Sequence, residues 1–157
     1  MKTNQMKRVL ITLDYDPTAQ KVAESGFAMA KAMGSEVTLL HVMVSPVMYA
    51  SAYANMGAWQ IDTIDTAEGM EIIQTGSHNL LEKAKKHLGD KTIKTIQKEG
   101  DTAEMILQTA SEMNADCIVM GSHSQKWLEN IIMGSVTEEV LRKSTVPLFI
   151  VPTKKKD

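Results

Sequence analysis

Two segments of this chain hold residue types suited to a phosphorylated ligand. One runs Met120-Gly121-Ser122-His123-Ser124-Gln125-Lys126, then Trp127 to Met133, then Gly134-Ser135-Val136-Thr137. It leaves an apolar run through a glycine and small polar residues, crosses a loop, and enters a helical pattern at a second glycine and a serine. Glycine lets backbone approach an anion closely. The first N–H groups of a helix lack partners within it, and the helix dipole favours negative charge there. Ser135 and Thr137 add hydroxyl donors, Lys126 adds a cation, and His123 lies in the same loop. The other segment is Thr12-Leu13-Asp14-Tyr15-Asp16. Asp14 stands just past an apolar run, where a carboxylate accepts hydrogen bonds from ribose hydroxyls. The same position also suits a turn residue bonded to its own backbone.

These segments need a frame that brings strand exits together. Four short apolar runs read as strands: Arg8 to Leu13, Glu36 to Val42, Asp116 to Met120 and Val146 to Val151. They are continuous rather than alternating, as strands covered on both faces are. A fifth run, Thr92 to Gln97, is mixed polar and fits an edge strand. Between the first two runs, Ala19, Val22, Ala23, Gly26, Phe27, Ala30 and Met33 recur at helical spacing behind Asp16-Pro17, an expected N-cap and first helical residue. Gly34 is the expected stop. A longer helix is expected over Thr66 to Leu88. Asp101 with Glu104, and Ser135 with Glu138, are expected capping boxes for two more helices. The order β-α-β-α-β-α-β-α-β implies one α/β domain over residues 1–157, a parallel Rossmann-like sheet with helices on both faces. In such a sheet ligands bind beyond the carboxyl ends of the strands, where strand order reverses. Residues 45–64 have no clear period and hold Tyr49, Tyr53, Met56 and Trp59, which reads as a loop packed on the sheet, or as a lid or a surface for a protein partner.

Composition narrows the function classes. Hydrophobic residues make up 43% of the 157 and charged residues 23%, which excludes disorder as the main state. The net charge of −2 argues against a dedicated nucleic-acid or anionic-membrane binder. No apolar run approaches the ~20 residues a membrane span needs, and the beginning of the chain does not read as a signal peptide, so a cytoplasmic location is expected. A single cysteine, Cys117, sits inside an apolar run and reads as a small buried hydrophobe. The histidines His41, His78, His87 and His123 show no zinc-ligand spacing, and no metal site is expected from side chains. His41 reads as a core residue at a strand end, His78 and His87 as helix-surface residues.

The loop also carries a resemblance. Gly121, two residues, Ser124, nine residues, then Gly134-Ser135 resembles the glycine pattern of the ATP-binding branch of the universal stress protein family, with Ser124 where that branch has its middle glycine. Thr12-Leu13-Asp14, Leu40-His41-Val42, Asn114-Ala115-Asp116 and Lys143-Ser144-Thr145-Val146-Pro147 are similar to the family too. The resemblance spans the chain except residues 45–64. It implies strand order 3-2-1-4-5, with the exits of strands one and four side by side. It implies that Asp14 binds ribose and that Thr12, Leu13 and Val42 line an adenine pocket. Met120, Gly121, Ser122, His123 and Ser124 would wrap ribose and phosphate. Gly134, Ser135, Val136 and Thr137 would hold the phosphates of ATP, with Mg or Mn on the phosphate oxygens. The expected function is a nucleotide-dependent stress-response switch or sensor with at most slow hydrolysis. The alternative is a non-nucleotide interaction module of the same family acting through its dimer, which the loss of the middle glycine favours and the intact Asp14, Gly121, Gly134 and Ser135 oppose. An adenylate-forming enzyme would need an H-x-G-H or S-G-G-x-D-S motif, and neither occurs; a flavodoxin-like redox protein would need a phosphate loop after strand one. The apolar last strand predicts a homodimer paired through Leu148 to Val151, as the resemblance also implies.

Overall fold

Among the residues described by the computed structural model, 5–44, 66–122 and 133–153, strands and helices alternate without exception. The elements are β1 (Arg8–Thr12), α1 (Ala19–Met33), β2 (Glu36–Met43), α2 (Thr66–Leu88), β3 (Lys94–Glu99), α3 (Thr102–Glu112), β4 (Cys117–Gly121), α4 (Ser135–Lys143) and β5 (Leu148–Val151). The five strands form one parallel sheet in the order β3-β2-β1-β4-β5. The mixed-polar run is an edge strand, β3, and it begins two residues later than its sequence pattern predicts.

Successive side chains of a strand point to opposite faces, and here each face has its own core. Val9, Ile11, Leu39 and Val119 pack with Val22, Ala23 and Ala30 of α1 and Leu81 of α2. Leu10, Leu40, Ile118 and Met120 pack on the other side with Ala103, Ile106 and Ala110 of α3 and Val140 of α4. Burying each Leu or Ile of the sheet contributes roughly 1.5–3 kcal/mol. Helix α1 lies hard against the central strands at Gly26. A Cβ there would stand 2.8 Å from Val119 Cγ1 and 3.0 Å from Ile11 Cδ1, so only glycine permits this approach.

Two helix ends follow their sequence signals and two depart from them. Gly34 closes α1 in the left-handed conformation at φ 68°. Asp101 caps α3, its side chain accepting from the Glu104 N–H at 2.9 Å. The other two expectations are corrected. Helix α1 starts at Ala19, and Thr18, not Asp16, occupies the cap position. Asp16 instead forms an Asx turn, its carboxylate accepting from the Thr18 N–H at 2.8 Å. At α4 the cap residue is Gly134, which has no side chain to bond, and Ser135 is already the first helical residue. The Ser135–Glu138 capping box therefore does not form; the Glu138 N–H bonds the Gly134 carbonyl at 2.9 Å as ordinary helix. Residues 45–64 lie outside the described residues.

Candidate functional site

The seam between β1 and β4 is closed at one end and open at the other. At the amino end, Asp116 reaches across it. Its Oδ2 accepts from the Lys7 N–H at 2.8 Å and the Arg8 N–H at 2.9 Å. Those two donors hold the Asp116 carboxyl below its ordinary value. The ladder then runs Val9↔Cys117, Leu10↔Ile118 and Ile11↔Val119, and stops. Beyond it each strand follows its outer neighbour. Strand β1 stays paired with β2 to Thr12↔Leu40, and the Leu13 N–H donates to the Leu40 carbonyl at 2.8 Å. Strand β4 stays paired with β5 to Gly121↔Val151, and the Ser122 N–H donates to the Val151 carbonyl at 2.9 Å. One side-chain bond still spans the gap, Thr12 Oγ1 to the Val119 carbonyl at 3.2 Å. The sheet thus parts at the carboxyl ends of its two central strands, the place where strand order reverses.

Asp14 lies on the β1 side of this opening. Its Oδ1 accepts from the Asp16 N–H at 3.0 Å, so the turn reading of this residue holds. The ribose reading is compatible with it, since a carboxylate has about four acceptor sites and this bond takes one. Although the side chain is exposed, the protein crowding it raises its carboxyl above the ordinary value, burial outweighing the Asp16 N–H that lowers it. The next residue, Tyr15, turns its ring onto His41, centroids 4.8 Å apart and edge-on. His41 is buried in β2, its Nδ1 bonded to Ser77 Oγ of α2 at 2.7 Å, and burial lowers its pKa. The Tyr15 hydroxyl lies 3.0 Å from where a Cβ on Gly76 would stand. Leu13 and Val42 are buried near the same strand exits, on opposite faces of the sheet.

The β4 side is built around Ser122. Its carbonyl accepts from the Gly134 N–H at 2.7 Å, which brings the two ends of the connecting loop together. Thr137 Oγ1 donates to the Gly121 carbonyl at 2.9 Å, which docks the first turn of α4 onto the end of β4. That hydroxyl is therefore committed to the backbone. Gly121 is needed for close packing, since a Cβ would stand 3.0 Å from Thr153 Cγ2 and 3.2 Å from Val22 Cγ2. Gly134 has φ −69° and ψ 159°, which any residue adopts. The N–H groups of Ser135, Val136 and Thr137 open α4 and bond to no described residue. Met120 is buried beneath this end on the α3–α4 face. His123, Ser124 and Lys126 lie outside the described residues.

The structure thus brings Thr12, Leu13 and Asp14 to one bank of an opening and Gly121, Ser122, Gly134, Ser135, Val136 and Thr137 to the other. Three participants were missed in the sequence: Asp116 as the clasp of the seam, the Tyr15–His41–Ser77 stack, and Thr153. Only Asp116 carried a signal, as an acidic residue at the entry to a strand. The matching family model is that of the universal stress proteins, over residues 6–152.

The chain belongs to the universal stress protein family.

Among relatives it is similar to universal stress protein MJ0531 of Methanocaldococcus jannaschii, 29% identical over 157 residues, with 98% of this chain and 86% of that protein covered. Among solved structures it is similar to protein MJ0577 of the same archaeon, with a TM-score of 0.73, 28% identity and coverage of 97% and 99% of the two chains. A universal stress protein solved in complex with cAMP shares the fold at a TM-score of 0.69 and 17% identity, covering 96% and 99% of the two chains. The five-stranded parallel sheet in the order 3-2-1-4-5 is the universal stress protein fold.

Proposed function

We propose that this universal stress protein binds an adenine nucleotide, ATP in the first instance, across the parted ends of β1 and β4. The observation that carries the reading is the end of the β1–β4 ladder at Ile11↔Val119, flanked by an acidic acceptor on one bank and helix N–H donors on the other. A nucleotide needs this polarity. Its ribose hydroxyls donate and its phosphates accept. Asp14 is acceptor-only when ionised, and the N–H groups of Ser135, Val136 and Thr137, which bond to no described residue, are donors reinforced by the dipole of α4. Among the described residues the donors to phosphate are backbone N–H groups, and Lys126 would add a cation. Among the described residues no cluster of His, Cys, Asp and Glu is arranged to hold a metal, so Mg or Mn would be held chiefly through the phosphate oxygens. Adenine would lie at the Leu13 exit and meet Val42 through the backbone at the end of β2, since the two side chains face opposite sides of the sheet, and Met120 would support the loop from below. His123 and Ser124 would complete the wrap around ribose and phosphate. The related structure in complex with cAMP supports an adenine nucleotide as the ligand class.

The protein acts by holding the nucleotide rather than by turning it over, and occupancy is read by a partner. Strand β5 lies at the open edge of the sheet with Phe149 37% exposed. An unpaired apolar edge invites strand pairing, and two copies joined through Leu148 to Val151 would close it about a two-fold axis. Pro147 and Pro152 lack N–H donors and bound that stretch. Residues 45–64 would offer a further surface to a protein partner.

Mass spectrometry of gently purified protein, followed by calorimetric titration with ATP and Mg, tests the nucleotide reading. Saturable binding is the expected result. No co-purified nucleotide and no binding at millimolar ATP would replace it with the interaction-module reading, which Ser124 in the glycine pattern favours. Light scattering tests the assembly, where a monomer at micromolar concentration would overturn the β5 dimer.

A further inference from the structure

Thr153 lies two residues beyond β5, past Pro152, and is buried, 7% exposed. A residue so near the end of a last strand is ordinarily solvated. Its partners account for the difference. The Thr153 N–H donates to Ser122 Oγ at 3.0 Å, and the two hydroxyls share a second hydrogen bond at 3.0 Å. Its methyl group packs where Gly121 lacks a side chain. The segment is pinned from the other side as well, Lys21 Nζ of α1 donating to the Pro152 carbonyl at 2.6 Å.

Ser122 is thereby held at each of its polar groups. Its N–H bonds β5, its carbonyl receives the Gly134 N–H, and its hydroxyl bonds Thr153. We propose that Thr153 is the positioning residue of the nucleotide loop: it fixes Ser122, and through the Ser122 carbonyl it fixes Gly134 and the open N–H groups at the start of α4. The proposal rests on the nucleotide reading for its consequence in binding, but its structural content stands without a ligand. A hydroxyl and a methyl on one Cβ are both used, so valine and serine each keep one half. The hydroxyl matters more, since it holds the group whose carbonyl orients Gly134.

The test uses Thr153→Val and Thr153→Ser in the full chain, read by amide hydrogen exchange without ligand and by ATP titration with Mg. In Thr153→Val the Ser122 and Gly134 amides should exchange at least threefold faster, while the Leu39 amide across the sheet is unchanged. ATP affinity should fall about threefold to tenfold. Thr153→Ser should restore both. Ser122→Ala removes both bonds to Thr153 and should accelerate Gly134 exchange at least as much, with no further gain when combined with Thr153→Val. Unchanged Ser122 and Gly134 exchange in Thr153→Val, or acceleration shared equally by Leu39, overturns the proposal. Should Thr153→Val fail to fold, Ser122→Ala with Gly134 exchange at the wild-type rate overturns it equally. Should the wild-type protein bind no ATP, the exchange arm alone decides, and the nucleotide reading fails separately.

Discussion

Asp116 and Asp14 sit at opposite ends of the same two-strand seam and do opposite things. Asp116 accepts two backbone N–H groups from the facing segment and has its carboxyl pushed below the ordinary value. Asp14 accepts only within its own turn, from the Asp16 N–H and its own backbone N–H, and is pushed up by the protein around it. The first carboxylate is satisfied by the fold. The second keeps acceptor capacity beyond its turn bond, and the proposed ribose contact would use it. A carboxylate's role is thus legible in what already satisfies it, where residue type alone cannot separate the two.

The largest effect that sharpens the contrast is on binding. Asp14→Ala should cost about 1.5–3 kcal/mol of ATP affinity, the range for hydrogen bonds to a charged group, and leave the melting temperature nearly unchanged. Calorimetric titration beside a thermal melt reads both, and equal affinity in the variant breaks the contrast. Asp116→Ala should do the reverse. Losing two charge-assisted bonds at a partly exposed position should cost about 1–2 kcal/mol of stability in a urea titration, with little change in affinity.

Acid should separate the pair by sign. The folded value of Asp116 is lowered, so its stabilisation is present above the ordinary carboxylate value and is lost as pH falls through the folded one. The folded value of Asp14 is raised, so its contribution to stability is fully present below the ordinary value and is lost as pH rises through the folded one. Asp14→Asn keeps an oxygen for the Asp16 N–H and removes the crowded charge. It should raise the melting temperature slightly at pH 7 while weakening ATP binding. A lower melting temperature would show that the charge belongs to the fold.

The smallest effect concerns the loop. If the glycine of the family pattern serves a positive φ or close approach to phosphate, serine in its place would meet strain of about 1–3 kcal/mol while offering a hydroxyl donor. Ser124→Gly should tighten ATP binding roughly fivefold, about 1 kcal/mol. Weaker binding in titration would make the serine hydroxyl a phosphate ligand instead.

The sheet was legible because its strands are continuous apolar runs and its helices carry clean stripes such as Val22-Ala23-Gly26-Ala30, whose spacing survives any detail of the ends. The ends themselves were less legible. Asp16-Pro17 and Ser135 have the right composition for caps, but Asp16 spends its carboxylate on Thr18, and Gly134 already occupies the cap before Ser135. The β4 bank of the site was visible as glycines at a strand exit. Its fastening was not, because Ser122 and Thr153 are 31 positions apart and neither residue type implies the other. The same holds for Tyr15, His41 and Ser77, joined only by the pairing of β1 with β2 and the packing of α2.

The seam also bears on how the chain assembles. Pairings of β1 with β2 and of β2 with β3 join successive strands, as does that of β4 with β5. The Arg8–Asp116 clasp joins residues 108 positions apart. Closing a loop that long costs more entropy than any neighbouring step, so the two halves of the sheet should form before they dock. During synthesis the first half emerges with the β4-facing edge of β1 bare until β4 arrives. The last contact made in folding would then be the one whose far end opens into the proposed nucleotide site, and a ligand bridging that opening would act as a late staple between halves already built.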